Sequence, residues 1–340
     1  MRTSLSQLLA TTPVVLADGA TGTNYFERGL AAGDPPELWN VEHPDRVRAL
    51  HEAFVAAGAD VILTNTFGAN RQRLALHGNE NRAFELSERA AQIAREVADA
   101  PPRPVVVAGS VGPTGELFAP LGALTRDVAI AGFREQIEGL AAGGADVAWI
   151  ETMSAAEELQ AAAAAAIDVG LPYTATCSFD TAGRTMMGLA PDELAAVFAG
   201  LPAPPIAIGA NCGVGASDLL VSLVAMTASG ERSAHLPASA FIAKGNCGVP
   251  RFEGTEIVYS GTPEQMARYA MLAIDGGARI VGGCCGTTPA HLAAMRAAVD
   301  GHLRGNPPTI ATIVEQIGPL ANASPAPARQ PARPRRRARR

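Results

Sequence analysis

Two adjacent cysteines stand among glycines in the run Gly282-Gly283-Cys284-Cys285-Gly286, and they are the residues of this chain best suited to carry chemistry. Successive side chains of a strand point to opposite faces, so both sulfurs reach one centre only where the backbone bends sharply, which glycine permits. A disulfide between sequence neighbours demands strained geometry. A metal ion held by both thiolates and a third cysteine avoids that strain. Three sulfur ligands select a soft or borderline ion, above all Zn²⁺, with the fourth tetrahedral position open for substrate. Cys212 and Cys247 are the two candidates for third ligand; each sits in an Asn-Cys-Gly-Val context, and spacing alone does not separate them. Packing or redox-active thiols are the competing reading. Cys177 ends an apolar run and reads as a small core residue.

Zn²⁺ with three thiolates carries a net charge of about −1, so such a centre is a weak Lewis acid that suits an incoming thiol better than water. Coordination lowers a thiol pKa from roughly 8.5 and leaves a thiolate nucleophile at neutral pH. Asp18 and Glu151 follow two other apolar runs and suit a substrate ammonium group, with capping of local backbone as their alternative role. Glycine-rich backbone near Gly19 and Ser110 suits a carboxylate. The combination describes an amino-acid thiol.

Positioning these residues falls to eight short apolar runs, at 14–17, 61–63, 105–108, 147–150, 173–177, 206–208, 241–243 and 279–281, separated by stretches of helical spacing. Continuously apolar strands alternating with helices predict a parallel sheet covered on its outer face. Three runs share the same approach, Ala57-Gly58-Ala59, Gly143-Gly144-Ala145 and Gly276-Gly277-Ala278, in which glycine ends a helix in the left-handed conformation. Eight such units in about 300 residues predict a (β/α)8 barrel, with an open doubly wound sheet as the alternative. In a barrel the residues just after each strand converge on one rim, and here that rim is polar and rich in sulfur.

With 340 residues, 48% hydrophobic and 18% charged, the chain has ample material for a large core, which excludes disorder as its main state. No apolar run approaches the length of a membrane span, and Ser4, Ser6, Gln7 and Pro13 interrupt any signal-peptide core. A cytoplasmic protein is expected. Residues 1–321 read as a single barrel domain, with 20 basic against 33 acidic side chains. Residues 322–340 hold seven arginines among Ala and Pro, with no acid and no apolar period, and read as a disordered tail. Without aromatic residues to stack on bases, that tail reads as a solubilising extension rather than a nucleic-acid grip. Of the 27 basic residues only Lys244 is a lysine, which reads as coding bias.

The motifs Asp18-Gly19-Ala20-Thr21-Gly22-Thr23, Thr64-Asn65-Thr66-Phe67, Gly109-Ser110-Val111-Gly112-Pro113, Glu151-Thr152, Gly209-Ala210-Asn211-Cys212 and Gly282-Gly283-Cys284-Cys285-Gly286 resemble, in order and spacing, those of the homocysteine S-methyltransferase family. Within it the chain looks most like the bacterial betaine-homocysteine methyltransferases. The likeness covers roughly residues 14–300. It implies a (β/α)8 barrel carrying one Zn²⁺ on Cys212, Cys284 and Cys285, drawn from two neighbouring strands, with homocysteine sulfur as fourth ligand. It further implies that Asp18, Gly19, Thr66, Ser110 and Glu151 surround the amino and carboxylate ends of homocysteine, Asp18 and Glu151 being the catalytic acids. Cys247 stands where the family usually has a small residue.

The implied reaction is displacement of a methyl group from a cationic donor by the activated thiolate, giving methionine. Lacking a corrinoid signature and a second large domain, the chain is expected to use a small onium donor, glycine betaine first. Trp39, Tyr25, Phe67, Phe118 and Tyr173 are the candidates for an aromatic cage around a quaternary ammonium. Gly68 and Thr152 stand where the animal betaine enzymes carry donor-pocket tyrosines. The rivals are the homocysteine half of a split methionine synthase served by a separate corrinoid protein, and an S-methylmethionine or S-adenosylmethionine enzyme. A non-enzymatic zinc or redox-thiol protein is the reading outside enzymology.

Overall fold

A computed structural model describes residues 2–229, 235–236, 238–248, 250–253 and 256–322. Each expected apolar run forms a strand: β1 (Val15–Leu16), β2 (Val61–Leu63), β3 (Val106–Val111), β4 (Val147–Met153), β5 (Tyr173–Cys177), β6 (Ala207–Cys212) and β7 (Ala240–Gly245). An unforeseen antiparallel hairpin follows, β8 (Pro250–Glu253) with β9 (Glu256–Tyr259), and then the last barrel strand, β10 (Ile280–Gly283). The eight barrel strands are parallel in the order β1-β10-β7-β6-β5-β4-β3-β2. The ends of that series also meet, through a bridge between Ala17 and Val61 and a 3.0 Å bond from Asp18 N to Val61 O. A sheet whose outermost strands pair is closed, so the fold is a (β/α)8 barrel and the open sheet is excluded.

Gly58, Gly144 and Gly277 take φ of +101°, +95° and +109°, the left-handed helix ends read from the sequence. Strands β3, β4 and β6 run on past their apolar stretches into Ser110, Glu151 and Cys212, so the chemistry-bearing side chains stand on ladder-held backbone rather than on loops.

Alternation along the strands sorts the core into two layers. Val61, Ala108, Trp149, Ile242 and Ile280 share the inner cluster, and the larger outer cluster lies between sheet and helices. Leu5 and Leu8 of the helix Leu5–Thr11 also belong to the inner cluster and form the barrel's floor. That helix opens on a capping box between Ser4 and Gln7, and Arg279 holds its end by bonds to the carbonyls of Leu9, Thr12 and Pro13. No helix of the described residues is long and apolar enough to cross a membrane. Residues 323–340, nearly all of the expected tail, lie outside the described residues.

Candidate active site

At the rim, Cys212 ends β6 while Cys284 and Cys285 occupy the turn after β10, and the three Sγ atoms lie within 4.8 Å of one another. The strands involved are not neighbours, because β7 stands between β6 and β10. Of the two candidates for third sulfur, the fold brings in Cys212. Cys247 is buried apart from the cluster, its Sγ donating to Gly261 O at 3.3 Å, and Cys177 is a fully buried core residue. All five cysteines are free thiols, and Cys212 and Cys285 approach to 3.9 Å.

Two asparagines to which the sequence reading gave no role hold this cluster in place. Asn246 accepts from Cys285 N at 3.1 Å and donates to Gly213 O at 2.7 Å, tying the two cysteine-bearing turns together. Asn211 accepts from Thr152 N and donates to the Thr152 hydroxyl, at 2.8 and 2.7 Å. The backbone so pinned is strained: Cys212 and Thr152 have φ of +59° and +61°, a region that costs a non-glycine residue on the order of 1–3 kcal/mol and collects at functional sites. Hydrogen bonds from the thiols of Cys212 and Cys284 hold Cys285 well below the ordinary thiol range, while Cys212 is pushed up by its bonds to the other two sulfurs. The Tyr259 hydroxyl also bonds to Cys285, a contact with no signal in the sequence. Three convergent sulfurs, one of them with its thiol held low, fit a soft divalent ion.

The acids come next. Glu151 lies on the inner face of β4 one step above Trp149, and its Oε1 accepts a short hydrogen bond from the Ser110 hydroxyl on β3. Burial pushes its carboxyl up to about 7, against the pull of the Lys244 ammonium. Asp18 is held within the fold at both oxygens: Oδ1 accepts from Lys244 Nζ at 2.9 Å and Oδ2 from Leu63 N at 2.7 Å. The Ser110 amide donates to the Thr64 hydroxyl at 3.0 Å, and the Thr66 hydroxyl donates to Ser110 O at 2.7 Å. Thr66 and the Ser110 backbone therefore form a buried frame behind Glu151.

These groups border a cavity of about 590 Å³ lined by Gly19, Thr66, Ser110, Glu151, Lys244 and the three clustered cysteines, among others. Of the five aromatic candidates only Phe67 lines it. Tyr25 and Trp39 pack on the helix side of the sheet, and the Arg46 guanidinium already covers the Trp39 ring at 4.8 Å. Tyr173 donates to Ala203 O in the outer layer, where Phe118 also packs. The space opened by Gly68 is taken by the buried carboxylate of Glu37, which accepts from Gly68 N at 2.6 Å; a Cβ at Gly68 would stand 2.9 Å from that oxygen.

Comparison with known proteins agrees with this geometry. The family model of homocysteine S-methyltransferase matches residues 15–299. Methionine synthases of Mycobacterium tuberculosis and Mycobacterium leprae are 32% and 31% identical, each over 84% of this chain; the chain spans 24% of the length of these relatives. The metallated homocysteine methyltransferase MmuM of Escherichia coli superposes with a TM-score of 0.69 at 26% identity, covering 86% of this chain and 98% of that one. Its oxidized form gives 0.68 at 27% identity, over 85% and 97%. A match spanning the whole barrel, on a chain whose Cys212, Cys284 and Cys285 converge, places this protein in the homocysteine S-methyltransferase family.

Proposed function

We propose that this chain is a zinc-dependent homocysteine S-methyltransferase that forms methionine. The observation that carries the reading is the convergence of three sulfurs on one wall of a cavity whose adjoining wall holds Glu151. Zn²⁺ bound by Cys212, Cys284 and Cys285 would supply the Lewis-acidic position that keeps a substrate thiol deprotonated at neutral pH. Glu151, oriented by Ser110, receives the substrate ammonium. The inner-face frame of Thr64, Thr66 and Ser110 keeps that carboxylate fixed, and the half-enclosed cavity limits water at the sulfur. No general acid is required where the leaving group departs uncharged. Unpaired thiols this close together suit a reducing compartment, the cytoplasm.

The donor is the finer question. Glycine betaine, the first expectation, needs an aromatic cage, and of the expected rings only Phe67 borders the cavity. The methionine synthase relatives, of which this chain matches about a quarter, favour a second reading: the homocysteine half of a two-component system in which a separate corrinoid protein delivers the methyl group. Incubating the zinc-loaded chain with homocysteine and, separately, betaine, S-methylmethionine, S-adenosylmethionine and methylcobalamin, while following methionine, tests both. Methionine from any donor supports the activity and identifies the donor class; none from any of them, nor from a methylated corrinoid protein, with metal bound, overturns the proposal.

A further inference from the structure

The chain's only lysine is one of its most buried residues. Lys244 is 1% exposed, yet it lines the cavity together with Glu151 and the three sulfurs. It stands on the inner face of β7 one alternation step above Ile242, its register partners being Asn211 on β6 and Gly282 on β10. The Trp149 ring lies 5.7 Å from its ammonium. Burial disfavours the charge, but Asp18 and Glu151 more than offset that effect and hold Lys244 above the ordinary lysine range.

An ammonium has three N–H donors. Among the described residues Lys244 makes one hydrogen bond, to Asp18 Oδ1, and Asp18 spends its other oxygen on Leu63 N. The acid expected to meet substrate is therefore turned toward the lysine, and the lysine is the member of the pair with donors to spare at the cavity wall. Buried charges are tolerated only when partnered, and an ammonium with unused donors recruits an anion.

We infer that Lys244 binds the α-carboxylate of the amino-acid substrate, with Asp18 as the positioning residue that fixes and charges it, while Glu151 takes the ammonium. This rests on the proposed homocysteine chemistry and names the group that reads its acid end.

The test is calorimetric binding of two thiols to zinc-loaded protein: homocysteine, and 3-aminopropane-1-thiol, which lacks only the carboxylate. A charge-assisted bond predicts that wild type prefers homocysteine by about 10–100-fold. In Lys244→Met that preference falls to within about threefold, and the aminothiol binds as before. Lys244→Met leaves Asp18 unpaired, so Asp18→Asn/Lys244→Met is measured beside it and loses the preference likewise. Wild-type preference retained in either folded variant, or parallel weakening of both thiols, overturns the assignment while leaving the homocysteine reading intact. Failure of wild type to bind homocysteine at all overturns both.

Discussion

The Asp18–Lys244 pair makes a quantitative claim on stability. Both side chains are 2% exposed and meet at 2.9 Å. Lys244→Met keeps the side-chain volume and strands a buried carboxylate with only the Leu63 amide. Removing one partner of a buried pair costs about 3–5 kcal/mol, because the remaining charge is left uncompensated. With an unfolding entropy of about 2.1 cal/mol/K per residue, a chain of this length should lose about 4–7 °C in Tm. Asp18→Asn should do the same from the other side. The double variant removes both charges and should recover most of that loss, giving a coupling of at least about 2 kcal/mol. Exposed Arg82–Glu85, an i,i+3 helix pair, is the control and should show about 0.5 kcal/mol. Scanning calorimetry of the four zinc-loaded proteins at pH 7 measures the cycle. Single-variant losses below about 1 °C, or losses that simply add in the double variant, would refute the view that these two buried charges depend on each other.

Three further outcomes are expected. Wild-type protein should carry about one zinc per chain by elemental analysis, Cys285→Ser less than about a tenth of that, and Cys247→Ser the full amount; metal retained by Cys285→Ser would contradict the cluster. Glu151 titrates near pH 7 and is charged above it, so the KM for homocysteine should fall as pH rises through 7, and Glu151→Gln should raise KM by about 10–100-fold and flatten that dependence. A pH profile unchanged by the substitution would remove Glu151 from substrate binding. Truncation after residue 322 should leave kcat and KM unaltered with a small-molecule donor, and lost activity would show that the arginine-rich segment takes part in turnover.

The strands were legible because a parallel sheet buried on both sides favours short runs of apolar and β-branched residues, as at Val61–Leu63 and Tyr173–Cys177, whose limits match the fold residue for residue. Where a strand carries chemistry its pattern turns polar before the ladder ends, so β4 reads as stopping at Ile150 although it continues through Glu151 to Met153. Side-chain placement was less legible. Trp39, Tyr25 and Tyr173 have the composition of a cage, but helix-side packing claims them, which no spacing along the chain reveals. The floor helix had a readable sign in Ser4 and Gln7, and the antiparallel hairpin after β7 had none that we identify. Lys244 carried the clearest overlooked sign: a lone lysine at the end of an apolar strand, in a chain that otherwise uses arginine, which the fold buries against Asp18.

The floor formed by Leu5 and Leu8 bears on kinetics as much as on stability. A barrel stoppered at its base has traffic through the mouth alone, so whatever binds deepest must arrive first and depart last. The amino-acid thiol, seated against the sulfurs, would then be the leading substrate of a compulsory-order reaction. Excess methyl donor loaded prematurely would cork the mouth, and the rate would turn downward at high donor and low thiol concentrations.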